Sequence, residues 1–259
     1  MRRLRALDLH AHVDAGIEPA ELTALEAVVF AATRSLDEAE QVSARTDSMT
    51  IWGVGCHPGL VGSQKSFDVE RFRALIGQSA FVAEMGLDGG SRVPIETQKR
   101  TLGDALSVLV DSPRITSLHS YRATSEVLEL LEQYPQAGVV LHWWLGTEEE
   151  THRAIQLGCY FSINRSSVRR EDLLSLIPLE RVFAETDHPF GDKGRGIRRP
   201  GEVSEVETAI GKTHGLAAAD VRKQTWINLS SLVSDTRVGP LLPTEVRRQL
   251  VALARIFRS

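Results

Sequence analysis

Short apolar runs in this chain alternate with longer stretches whose apolar residues return every three or four positions. The runs are ALDLHAH (6–12), VVFAAT (28–33), IWGVGC (51–56), FVAEMG (81–86), ITSLHS (115–120), GVVLHW (138–143), CYFSIN (159–164) and VFAETD (182–187). Segments of this length, rich in β-branched and aromatic residues, predict strands. The intervening stretches predict helices. Ser35 stands three residues before Glu38, and Thr147 three before Glu150, the spacing of a capping box. The stretch 94–110 opens on a helix-compatible proline and sets Leu102, Leu106 and Leu109 on one stripe. Residues 126–134 are amphipathic in the same way.

Strands alternating with helices imply a parallel sheet. Eight of them between residues 6 and 187 predict an α/β fold of the (β/α)8 TIM-barrel type. The runner-up, an open doubly wound sheet, would carry a glycine-rich turn after its first strand, and the chain has none there. The expectation is a single barrel domain over 1–259, with 233–259 a C-terminal helical extension. Val246, Leu250, Leu253 and Phe257 form one stripe of that extension, which must be covered either by the barrel or by a partner protein.

Composition narrows the partners. The 259 residues are 42% hydrophobic and carry 30 basic against 34 acidic side chains, a formal net charge of −4. A protein held to nucleic acid by general electrostatics is basic, so any such contact here must use local patches or metal ions. The two cysteines, Cys56 and Cys159, are expected as buried thiols. The N-terminus has no apolar signal region and no run of about 18 apolar residues is present, so the expected location is the cytoplasm, with no membrane partner.

The candidate chemistry sits at strand ends. Six of the eight histidines (His10, His12, His57, His119, His142 and His188) fall in the last residues of a predicted strand or just after one, where barrel active sites collect. Asp8, His10 and His12 alternate with Leu9 and Ala11, so a period of two points all three to one face. Asp8 is then expected deeper in the barrel, supporting an imidazole. Glu84 and Asp187 lie inside apolar runs, where an unpaired carboxylate costs several kcal/mol. A salt bridge to an arginine or a metal ion removes that cost. His10, His12, Glu84, His119, His142 and Asp187 are too many ligands for one tetrahedral zinc and fit two metals sharing a carboxylate.

These residues stand in motifs that resemble the TatD-type metal-dependent DNases of the amidohydrolase superfamily. The matching pieces are DLHAHVD (8–14), GCHPG (55–59), AEMGLD (83–88), LHSYRA (118–123), LHWWLGT (141–147), IPLERVFAETDHP (177–189) and Asn228. The resemblance implies His10 and His12 on one metal, Glu84 as bridge, and His119 and His142 on the second. Asp187 then ligates or orients the nucleophilic water. His57 and Glu185 line the site, Glu185 as a catalytic group or as a hydrogen-bond partner of a ligand. It implies two divalent ions (Mg, Mn or Zn), a metal-bridging hydroxide, and DNA as substrate, trimmed as single strands or at 3′ ends.

The chain departs from the family pattern at its substrate contacts. The usual arginine two residues after the fifth-strand histidine is Tyr121, followed by Arg122, so either a ring or a guanidinium meets the nucleic acid. Trp143 and Trp144 replace a Cys-Phe pair; one is expected to pack between barrel and helices and the other to form a base-stacking wall. Lys193, Arg195, Arg198 and Arg199 form a basic loop beyond Asp187, suited to phosphate. SLHSYRA and LGCYFSIN further resemble TatD-like nucleases of bacterial antiphage defence cassettes, which would make the C-terminal helix a contact for other cassette proteins. A hydrolase of small amides or esters, including aminoacyl esters, and a non-catalytic barrel subunit are the alternatives.

Overall fold

The computed structural model describes residues 4–192, 196 and 199–256, with residues 255 and 256 described as backbone only. Eight strands are present: β1 (Ala6–His12), β2 (Ala27–Ala32), β3 (Thr50–Val54), β4 (Phe81–Gly86), β5 (Ile115–His119), β6 (Val139–His142), β7 (Tyr160–Ile163) and β8 (Val182–Ala184). Each neighbour pair from β1 to β8 is parallel and in sequence order. The sheet closes where the Asp187 N–H donates to the His10 carbonyl at 2.9 Å and the His12 N–H to the His188 carbonyl at 2.8 Å. The fold is therefore the predicted (β/α)8 barrel.

Inward positions are graded along the barrel. Leu7, Leu9, Val28, Phe30, Phe81, Ile115, Val140 and Phe183 belong to one buried apolar cluster in its lower half. Toward the C-terminal ends the buried residues turn polar: Ser117, His142, Ser162 and Glu185. A second apolar cluster, including Leu102, Leu106, Leu118, Val127, Trp144 and Phe161, seals the strands against the surrounding helices. An apolar plug below and a polar layer above leave the upper end as the place for chemistry.

Two strands are bulged, and both bulges carry site residues. The β1–β2 register runs Asp8 opposite Val29, then Ala11 opposite Ala31, three positions on β1 against two on β2. The β4–β5 register does the same between Val82 and Met85. A bulge re-aims the side chains beyond it. Val82 and Met85 pack outward in the helix-facing cluster while Phe81 and Ala83 belong to the inner one, so Glu84 is turned inward with Ala83. The bulged β4 also presses on the turn after β3. A Cβ on Gly55 would lie 2.1 Å from the Ala83 carbonyl oxygen and 1.9 Å from that of Thr33, so only glycine fits there.

Helix starts follow the sequence with one adjustment. Thr147 and Glu150 form the complete capping box. Ser35 accepts the Glu38 N–H, but the Glu38 carboxylate turns back to the Arg34 N–H at 2.7 Å instead of completing the box. Cys56 and Cys159 are buried free thiols, and burial pushes each up to about 12. Among the described residues no helix is long and apolar enough to cross a membrane.

The C-terminal helix, Thr244–Ile256, lies on the barrel rather than free of it. Val246 and Leu253 are buried against Trp226, Leu229 and Leu232 of the preceding helix (Ala218–Thr236). The Gln249 Oε1 accepts the Arg5 N–H at 3.3 Å, and the Trp226 Nε1–H donates to the Arg5 carbonyl at 2.9 Å. Phe257 lies outside the described residues. Truncating Leu253 to alanine is expected to lower stability by about 2–5 kcal/mol in urea unfolding; no change would mean that the helix does not pack here.

Candidate active site

Glu84 is the centre of the polar layer. Its side chain is 2% exposed, and among the described residues its ionic partners are all imidazoles. Oε1 lies 2.7 Å from His119 Nδ1 and 3.1 Å from His142 Nε2. Oε2 lies 3.1 Å from His12 Nε2, 3.5 Å from His57 Nε2 and 3.9 Å from His10 Nε2. Asp187 completes the second group, with Oδ1 3.7 Å from His12 Nε2 and 4.0 Å from His10 Nε2. Residues from β1, β4, β5, β6 and the turn after β8 thus meet at one point, all six expected ligands among them.

The donor set fits a divalent cation. Ligand atoms about 2.0–2.2 Å from an ion sit some 3–3.5 Å from one another, close to the separations found. His10, His12 and Asp187 bring their ligand atoms within 4.8 Å of each other, and so do His57, Glu84 and His119. His10 Nδ1 pairs with the Ser117 hydroxyl at 2.7 Å. Its Nε2 and Glu84 Oε2, both buried, have no hydrogen-bond partner. With Nδ1–H donated to Ser117, the remaining lone pair faces a carboxylate oxygen, an arrangement that a cation between them relieves.

Electrostatics agree with a site built for positive charge. Burial would raise the Glu84 carboxyl, but His57, His119, His12 and His142 outweigh it and hold it well below the ordinary carboxylate range. Burial and the neighbouring His142 depress His10 well below the usual imidazole value, so it is neutral and open to ligation at pH 7. Burial also lowers His57. It pushes Asp187 well above the carboxylate range. Burial opposes charge on His142 too, yet Glu185 and Glu84 outweigh it and raise that imidazole.

His57 differs from the other imidazoles. Its Nδ1 accepts the Gly59 N–H at 2.9 Å, so a neutral ring carries its proton on Nε2, facing Glu84. That makes it a donor in the site. Glu185 accepts from the Trp143 N–H at 3.0 Å, from Asn164 Nδ2 at 3.2 Å and from the Ser162 hydroxyl, and stands 3.7 Å from His142 Nδ1.

Asp8 is not where the period of two predicts. The β1 bulge leaves Asp8 opposite Val29 and separates it from the inward face that carries His10 and His12. Its carboxylate touches no imidazole; it accepts from the Thr186 N–H (2.8 Å), the Thr186 hydroxyl (2.6 Å) and the Gly201 N–H (2.8 Å). Asp8 thus ties β1 to the turn carrying Asp187.

The expected substrate contacts are only partly assembled. Arg122 has φ 52° and stacks its guanidinium over the Tyr121 ring at 5.2 Å. The sixth strand ends at His142, so the tryptophans are set by a turn rather than by strand alternation. Trp144 is buried against Phe161 and donates to Thr151, while Trp143 is half-buried with φ 43°. Arg199 is exposed, its N–H donating to Glu202. Arg198, Lys193 and Arg195 lie outside the described residues.

Sequence reading missed Ser117, Ser162, Asn164 and Asp88, the last 3.7 Å from His119 Nε2. Ser117 stands two residues before His119, and Ser162 and Asn164 alternate in an otherwise apolar run. That inward polar spacing is the signal that could have found them.

A parallel barrel with a buried carboxylate-imidazole cluster at its C-terminal mouth defines the class of barrel metal-dependent hydrolases. Residues 7–234 match the family described as TatD related DNase. The chain is 33% identical over 123 residues to the deoxyribonuclease Tat-D of Schizosaccharomyces pombe, covering 44% of this chain but 39% of that protein. It is 29% identical over 191 residues to the 3′-5′ ssDNA/RNA exonuclease TatD of Cronobacter sakazakii, covering 68% and 72%. The crystal structure of a TatD homologue from Escherichia coli K12 superposes with a TM-score of 0.78 at 20% identity, covering 88% of this chain and 98% of that one. The chain belongs to the TatD-related DNase family, a family of metal-dependent hydrolases.

The Asp8 contacts give a pH signature. Burial raises its carboxyl from 3.8 to about 6, so between those values the folded state binds more protons than the unfolded one. Stability contributed by Asp8 therefore falls as pH rises through this window. The stability difference between wild type and Asp8→Asn, by urea unfolding of metal-free protein, is expected to move in favour of wild type by about 2 kcal/mol from pH 7 to pH 4. A flat difference would contradict the assignment.

Proposed function

We propose that the protein hydrolyses DNA phosphodiesters, trimming single strands from the 3′ end, with two divalent cations held on either side of Glu84. One observation carries this reading: the two oxygens of Glu84 face different imidazoles, Oε2 toward His10, His12 and His57, with Asp187 beside the first two, and Oε1 toward His119 and His142. A carboxylate so placed suits a bridge. The imidazole-rich donors favour zinc or manganese over magnesium. The strand polarity and substrate are those of the Cronobacter relative's name.

When bound, such cations lower the pKa of water and neutralise charge on a phosphate. Asp187 is placed to take the proton of the attacking water and later to pass it to the leaving oxygen, a general base and then acid. His57, with its Nε2–H aimed into the site, donates a hydrogen bond to a phosphate oxygen. Glu185 stands 3.7 Å from His142 Nδ1 and, through the Trp143 N–H, holds the backbone beside that ring. Ser117 fixes His10 in the tautomer that leaves Nε2 free.

On end-labelled single-stranded DNA, chelator is expected to abolish cleavage and Asp187→Asn to lower kcat about 100- to 10,000-fold, with Glu84→Gln at least as damaging. Cleavage surviving both substitutions would contradict the mechanism. Metal-dependent esterase activity without DNA cleavage would overturn the substrate and keep the centre.

A further inference from the structure

A groove of about 410 Å³ opens beside His12, between the turns that follow β1, β2 and β8. Its volume falls in the roughly 300–1,000 Å³ range of small-ligand sites. Phe190, Pro189, Arg34 and Asp14 are among the residues that line it. Phe190 is 45% exposed, although a phenylalanine on a closed barrel ordinarily packs inside. Its N–H and that of Gly191 both donate to the Asp187 carbonyl, at 2.6 and 2.9 Å. The ring stands edge-on to His12 with centroids 5.4 Å apart. An apolar face is therefore fixed against the metal cluster and presented to solvent.

Arg34 lines the same groove with a side chain 43% exposed, held by Glu38 through Nη2 at 3.2 Å. Its main-chain carbonyl accepts the His57 N–H at 3.0 Å, which ties the Arg34 backbone to the turn carrying His57. A lone phosphate would meet the carboxylates of Asp14 and Glu38 as well as one cation. An unpaired base stacked on Phe190 avoids that repulsion, leaving its flanking phosphate for Arg34 and any hydroxyl or amino donors for Asp14.

Resting on the proposed phosphodiesterase reading, we propose that this groove is the subsite for one unpaired nucleotide next to the scissile phosphate: Phe190 stacks the base and Arg34 pairs with the phosphate. The subsite then reads single-strandedness, because a paired base cannot leave its stack to reach Phe190.

Binding tests this without cleavage. Fluorescence anisotropy with chelator present would compare an oligonucleotide bearing its terminal base with the same strand made abasic there. Wild type is expected to prefer the base by about 5- to 150-fold, the range of one stacking contact. Phe190→Ala should erase that preference, and Phe190→Trp should retain it. Arg34→Ala should lessen the slope of log affinity against log salt by about 0.7, one single-strand phosphate contact. An equal preference in wild type and Phe190→Ala overturns the stacking role, and an unchanged salt slope overturns that of Arg34. Base preference lost in Phe190→Ala, with no DNA cleavage by the metal-loaded wild type, would overturn the phosphodiesterase reading and leave the subsite standing. Circular dichroism melts of the variants should match wild type, since both side chains are exposed.

Discussion

Glu84 is taken almost entirely from water and set among five imidazoles, and the rest of the site answers to that one placement. A buried carboxylate without compensation costs several kcal/mol. Here the compensation is positive charge, from imidazolium in the bare chain and from cations in the proposed working state. The same five rings cannot all be protonated side by side, and burial keeps His10 neutral. The cluster thus gathers one carboxylate and several imidazole nitrogens at a point, the donor set that suits a cation.

The barrel delivers this arrangement through irregularities rather than through its ideal geometry. Regular alternation would have turned Glu84 outward with Val82; the β4 bulge brings it in, and Gly55 makes room for the displaced backbone. A second bulge in β1 separates the roles of Asp8 and His10. Asp8, freed from the inner face, holds the last turn of the barrel against the first strand. Asp187 and Phe190 both depend on that turn, so the position of a candidate proton carrier and that of a candidate base platform share one anchor.

The eight strands were legible from short apolar runs, and the convergence of six histidine, glutamate and aspartate side chains from their places at strand ends, because barrel topology forces those ends together. The resemblance to TatD-type enzymes ordered the same residues, and the match over 7–234 shows that family. Orientation was less legible. The Asp8 expectation failed because a bulge leaves no trace in an alternating pattern; Trp144 packs between strands and helices as expected, but a turn rather than strand alternation sets it, because β6 stops at His142. Phe190 was invisible for a different reason: an aromatic after Asp187 reads as an ordinary loop residue until its ring is seen exposed against His12.

The central claim is that Glu84 bridges two cations, and anomalous diffraction from crystals grown with manganese tests it most directly. The account predicts two peaks, one between Glu84 Oε2 and the His10, His12 and Asp187 group, the other between Glu84 Oε1 and the His119 and His142 pair. A single peak, or two peaks that do not share Glu84, would contradict it.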